Sequence, residues 1–143
     1  KNKKEILKEN KIRYASLNED LTNSLNNTIN YNCIRALCIL KGVNIIIIDK
    51  KCYYDFNCNT DNKDIYIINY ENDRYNIELK PKNEDEMFKY RNSYLLITDV
   101  NKKIKSIGSY KSQELLDIAN KLDIDIKIKK TKQVLYQEIL SKL

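Results

Sequence analysis

Residues 33–48 read CIRALCILKGVNIIII, and this stretch decides the fold. Cys33 to Leu40 is apolar at nearly every position, which reads as a buried helix. Gly42 stands where such a helix needs a residue that accepts the left-handed conformation. Val43 to Ile48 is β-branched except at Asn44 and is bounded by Asp49-Lys50-Lys51, so it reads as a central strand buried on both faces. Cys52-Tyr53-Tyr54-Asp55-Phe56 follows a short turn and is expected to hairpin back. Ile65 to Tyr70 and Arg74 to Leu79 are separated by Glu71-Asn72-Asp73, turn residues that predict a second hairpin. Ser93 to Val100 reads as a further strand. The expected fold is α+β: an antiparallel sheet of about five strands over residues 43–100, with covering helices.

Two weaker helices precede this core. One runs from Asn2 to Lys11; the other opens at Asn18, with Glu19 and Asp20 in its first turn and a narrow stripe of Leu21, Leu25, Thr28 and Ile29. Between the second hairpin and the last strand, Pro81 to Asn92 reads as a loop with a helix from Glu84. The cluster Glu84-Asp85-Glu86 suits the positive end of that helix better than a metal site, because no second acidic cluster accompanies it.

The C-terminal third has a different pattern. Leu115, Ile118, Ala119 and Leu122 fall on one helical face, with Ser112 as the expected cap. Thr131 can cap a second helix carrying Leu135 and Ile139 on one side. Helices this short need a partner, so the two faces are expected to pack on one another. Between them Ile124, Ile126 and Ile128 alternate with charged residues, which predicts an extended connector from Asp123 to Lys130.

At these residues the chain resembles a known family. Helix, extended connector, then Thr131-Lys132-x-x-Leu135-x-x-x-Ile139, preceded by Glu114-Leu115-x-x-Ile118-Ala119-x-x-Leu122, is similar to the SAP family of small helix-extended-helix DNA-binding modules. The resemblance covers residues 109–143, and the connector has lysine and isoleucine where family members tend to carry glycine. It implies duplex DNA as the partner, bound through the start of the first helix, the connector and the start of the second helix, with little base-specific reading. The domain organisation expected is an α+β scaffold over residues 1–100 and a SAP-like module over 101–143.

Charge supports the same segment independently. The net charge is +6, and residues 101–143 supply most of it, with ten Lys against five Asp or Glu. Lys127, Lys129, Lys130 and Lys132 gather at the connector and the second helix start, where free amides also favour phosphate. With Lys111 and Thr131 these are the candidate nucleic-acid-binding residues. A lysine-rich face also suits solvent alone or an acidic protein partner.

Other residue classes bound the chemistry. The chain has no His, so imidazole acid–base catalysis and His-activated nucleophiles are excluded from its own residues. Cys33, Cys38, Cys52 and Cys58 lack any C-x-x-C spacing, and two of them lie in the apolar helix, so buried free thiols in a reducing intracellular compartment (nucleus, cytoplasm or viral particle) are expected, without a metal or cofactor. No apolar run is long enough to span a bilayer. Lys, Asn, Ile and Tyr make up roughly half of the chain, which reads as the imprint of an AT-rich genome. The order helix, strand, hairpin pair also loosely resembles the back half of papain-like OTU cysteine proteases; the place of their late-strand His-Tyr pair reads Arg74-Tyr75 here, so that resemblance implies a fold without its chemistry. Non-catalytic duplex nucleic-acid binding is therefore the first functional expectation. A structural or assembly protein, for instance a virion component whose C-terminal helices dock on protein, is the second; an enzyme is the least expected.

Overall fold

The computed structural model describes residues 2–24, 30–58 and 61–143. Its elements run α1 (Lys3–Glu9), α2 (Tyr14–Ser24), α3 (Tyr31–Lys41), β1 (Asn44–Asp49), β2 (Cys52–Phe56), β3 (Ile65–Glu71), β4 (Arg74–Ile77), α4 (Glu84–Ser93), β5 (Leu95–Leu96), a 3-10 turn at Ile107–Ser109, α5 (Ser112–Lys121) and α6 (Lys132–Lys142). This is an α+β arrangement of helices around one five-stranded sheet. Gly42 ends α3 at φ 67°, and the Val43 N–H donates to the Cys38 carbonyl, so the chain leaves the buried helix directly into β1.

Both expected hairpins form. β1 and β2 pair antiparallel from Asp49↔Cys52 to Ile45↔Phe56, and β3 and β4 pair antiparallel about Tyr70↔Tyr75. Asn72 and Asp73 both take positive φ at the second turn, the conformation a two-residue hairpin loop favours and short polar side chains tolerate. The sheet as a whole is mixed, however, where an antiparallel one was expected. Its order is β4-β3-β1-β2-β5, with β3 parallel to β1 and β5 parallel to β2. The reason is the segment after β2. Phe56 lies beside the start of β1, and so does Ile65, on the opposite side. The chain therefore passes across the end of β1 and enters β3 in the direction of β1. A strand buried on both faces accepts neighbours on both edges, and the hairpins flank it instead of forming a meander.

The last strand is shorter than expected. Leu95 and Ile97 donate to the carbonyls of Lys51 and Tyr53, but the Asp99 carboxylate takes the Asn101 N–H at 2.9 Å, and this turn ends the pairing that the reading of Ser93 to Val100 had extended.

Alternate residues of β1 feed the two faces, as the unbroken isoleucine run requires. Ile46 and Ile48 join Tyr53, Ile65, Ile67 and the α4 residue Met87 in one cluster. Ile47 joins Cys38, Cys52, Tyr54 and Phe56 in the other. This second cluster continues through Ile97 and Ile104 to Leu115, Ala119, Leu122, Ile124, Leu135 and Ile139. Each fully buried Ile or Leu contributes on the order of 1.5–3 kcal/mol, so these two layers dominate the stabilisation.

The N-terminal helices lie against α3, where Leu7, Leu17, Cys33 and Ala36 form a third cluster. Asn2 caps α1 and receives the Glu5 carboxylate on its own N–H. Helix α2 starts at Tyr14, ahead of the expected Asn18, because Leu17 is the side chain that reaches α3; Leu21 is exposed. Leu25, Thr28 and Ile29 lie outside the described residues. Helix α4 begins where the acidic cluster placed it: Asn83 accepts the Glu86 N–H and Glu86 accepts the Asn83 N–H. Among the described residues, no helix is long and apolar enough to cross a membrane.

Candidate nucleic-acid interface

The candidate interface is built from the start of α5, the connector and the start of α6. The cap of α5 is Lys111 where Ser112 was expected: the Glu114 carboxylate accepts the Lys111 N–H, and Ser112 becomes the first helical residue. Glu114 sits three residues after Lys111, which is the capping-box spacing, and this decides the boundary. At α6 the expected cap forms, with Thr131 Oγ1 accepting the Val134 N–H at 3.3 Å. Leu115 and Ala119 of α5 are fully buried, as is Ile139 of α6, and the two helices pack on one another.

The connector is not the alternating extended segment that its isoleucines suggested. Only Ile124 is buried, drawn in because its N–H bonds the Ala119 carbonyl at 2.9 Å after Asp123 turns the chain at positive φ. Asp125 then folds the backbone by accepting the Lys127 N–H at 2.9 Å, and residues 127–128 bend. Alternation failed because it presumes a sheet face, and among the described residues no strand pairs with the connector to supply one.

Lys127, Lys129, Lys130 and Lys132 come together around a groove of about 420 Å³ floored by Leu115, Leu116 and Leu135. Among the described residues, Lys127, Lys129 and Lys132 make no ion pair. Lys130 is different. Its Nζ donates to the Asp125 carbonyl at 2.7 Å and to Glu138 Oε2 at 2.6 Å, tying the connector to α6. With its side chain only 19 % exposed, Lys130 positions the loop and is not displayed to a ligand. Lys111 is exposed at the cap of α5, one residue outside the lining of the groove, and Thr131 works as the cap of α6. Sequence reasoning missed the Lys130–Glu138 pair, although an acid two turns into α6 was visible, and it missed Ile126 and Ile128 as exposed residues of the groove.

The positions that could suggest other chemistry are otherwise engaged. None of the four cysteines forms a disulfide, and Cys33, Cys38 and Cys52 are buried. Burial pushes the Cys38 thiol up to about 12 and raises those of Cys52 and Cys58, so none of these three is a ready thiolate near neutral pH. Arg74 and Tyr75 lie exposed on β4, with the Tyr75 ring 4.7 Å from that of Tyr70. Tyr31 stacks on Tyr54 at 4.5 Å, a packing contact between α3 and the sheet. The acidic cluster of α4 is used for capping and for Arg91, which pairs with Glu84 and Asp55.

No family model matches the chain, and no curated protein or solved structure does.

Proposed function

We propose that this protein binds duplex DNA without catalysis, through a basic SAP-like segment at its C-terminus, with the α+β part as scaffold. The observation that carries the reading is the grouping of Lys127, Lys129 and Lys132, none held by an acid among the described residues, around the N-terminal turn of α6. Free amides at a helix start and mobile ammonium groups suit phosphate. The connector presents no Arg, Asn or Gln to read base edges, so preference among sequences through hydrogen bonds is weak.

The test is fluorescence anisotropy of the whole chain on a labelled duplex between about 50 and 200 mM salt. Three phosphate contacts give a log–log slope of about −2.7, since each contributes about −0.9. Absence of binding at the low-salt end overturns the reading.

A second reading, docking on a protein in an assembly, draws on the apolar floor of the same groove, Leu115, Leu116 and Leu135. Association with a partner that ignores salt, without any affinity for DNA, would favour it.

A further inference from the structure

An exposed isoleucine is ordinary by itself, but two on one short, tied-down loop between cations are not. Ile128 is 70 % exposed and Ile126 39 % exposed, with Lys127 and Lys129 on either side of Ile128. The loop that presents them is fixed at both ends. Asp125 holds it at the start through the Lys127 N–H, and Lys130 anchors it to Glu138 and back to the Asp125 carbonyl. A β-branched side chain has few rotamers, so Ile128 projects from this bend in a narrow range of directions.

We infer that Ile128 is a wedge that enters the minor groove of a duplex and partly unstacks one base step while Lys127, Lys129 and Lys132 hold the flanking phosphates. The inference rests on the duplex-DNA reading above and adds a mode of binding and a substrate preference to it. Duplex DNA is favoured over an apolar partner here because Lys127 and Lys129 flank Ile128 and line the same groove with Lys132, and a minor groove sets phosphates on both sides of base steps that an apolar side chain can enter. Apolar wedges of this size unstack steps and kink the duplex toward the major groove. The energy of doing so depends on the step: pyrimidine–purine steps such as TpA open easily, whereas A-tracts are stiff. Specificity then arises without any hydrogen bond to a base. Duplexes with central TpA steps bind better than A-tract duplexes of the same base composition.

The experiment uses the whole chain with two duplexes of equal length and composition, one with alternating TpA steps and one with an A-tract, each carrying 2-aminopurine at the centre and dyes at its ends. The expected result is roughly tenfold tighter binding to the TpA duplex, equivalent to about 1.4 kcal/mol of deformation energy. A rise in 2-aminopurine fluorescence and a shortened end-to-end distance accompany it. Ile128→Ala removes the preference and both optical signals, and Ile128→Leu retains them; because the side chain is exposed, neither change disturbs the fold, which circular dichroism checks. Salt-dependent binding that is equal for both duplexes, with no unstacking and no effect of Ile128→Ala, overturns the wedge while leaving the DNA reading in place. No binding to either duplex at low salt overturns both.

Discussion

The side-chain amide of Asn44 donates to the carbonyl of Asn62 at 2.7 Å. Its Oδ1 accepts the Cys58 N–H at 3.0 Å, and the Asn62 amide reaches back to the Gly42 carbonyl at 3.1 Å. Asn44 is the one buried polar side chain among the described residues, at the first position of β1. It therefore closes the crossing segment over the end of the central strand, the same crossing that makes β3 parallel to β1.

Replacing Asn44 by Val would continue the β-branched run and look favourable by strand propensity. It leaves the Cys58 N–H and the Asn62 carbonyl without their partner. The expected effect is a loss of about 2 kcal/mol, within the range for orphaned, partly buried polar groups. Urea unfolding measures it, and an unchanged midpoint would mean that the crossing holds without Asn44.

Lys127, Lys129 and Lys130 are neighbours in sequence but differ in role. Lys127→Ala and Lys129→Ala should each reduce the magnitude of the salt slope for duplex DNA by about 0.9. Lys130→Met should leave the slope unchanged while weakening binding and stability together, because it releases the connector from Glu138. Salt titrations of the three variants separate a phosphate contact from a positioning residue, and a reduced slope in Lys130→Met would reverse the assignment.

Thr131 caps α6. Thr131→Ala should lower stability by about 1 kcal/mol, with Thr131→Ser close to the parent, since a hydroxyl is what the Val134 N–H requires. Thermal melts of the pair check this. Equal losses in both variants would point to the methyl group instead.

Alkaline pH should destabilise the fold. Burial raises the Cys38 thiol from 9.0 to about 12, so the folded state holds the proton more tightly than the unfolded chain does. The associated stability is fully present below the unfolded value and is lost as pH rises toward the folded one. Above about pH 9 the expected slope is on the order of 1.4 kcal/mol per unit for this group. Tyr54, raised by burial to about 12, adds to the loss at the upper end of that range. Unfolding midpoints at pH 7 to 11 for the parent and Cys38→Ala test it: the variant should fall less steeply, and parallel curves would count against the buried thiol as the cause.

Elements whose signals are local were legible in the sequence. The isoleucine run of β1, Gly42 after α3, the Asn72-Asp73 turn, the acidic start of α4 and the Thr131 cap each depend on residues within a few positions of one another, and each forms as read. Alternation in the connector misled, because a period of two becomes a strand only where a neighbouring strand is available to pair, and the strand read over Ser93 to Val100 was cut short by the Asp99 turn. The lysines of the candidate interface were visible as a charge concentration. Their division into displayed ammonium groups and one loop anchor was not, because it depends on where Glu138 arrives after α6 has packed.

The sequence by itself determined the α+β class, the doubly buried central strand and the two hairpins, since periodicity, β-branching and turn chemistry act over short spans of chain. Only the tertiary structure decided that the sheet is mixed. That outcome rests on a crossing of the chain that pairs β3 with β1 and that Asn44 bridges to Cys58 and Asn62, contacts between residues far apart in sequence whose energy no local pattern contains. For the same reason only the folded chain shows Ile128 held outward between its lysines.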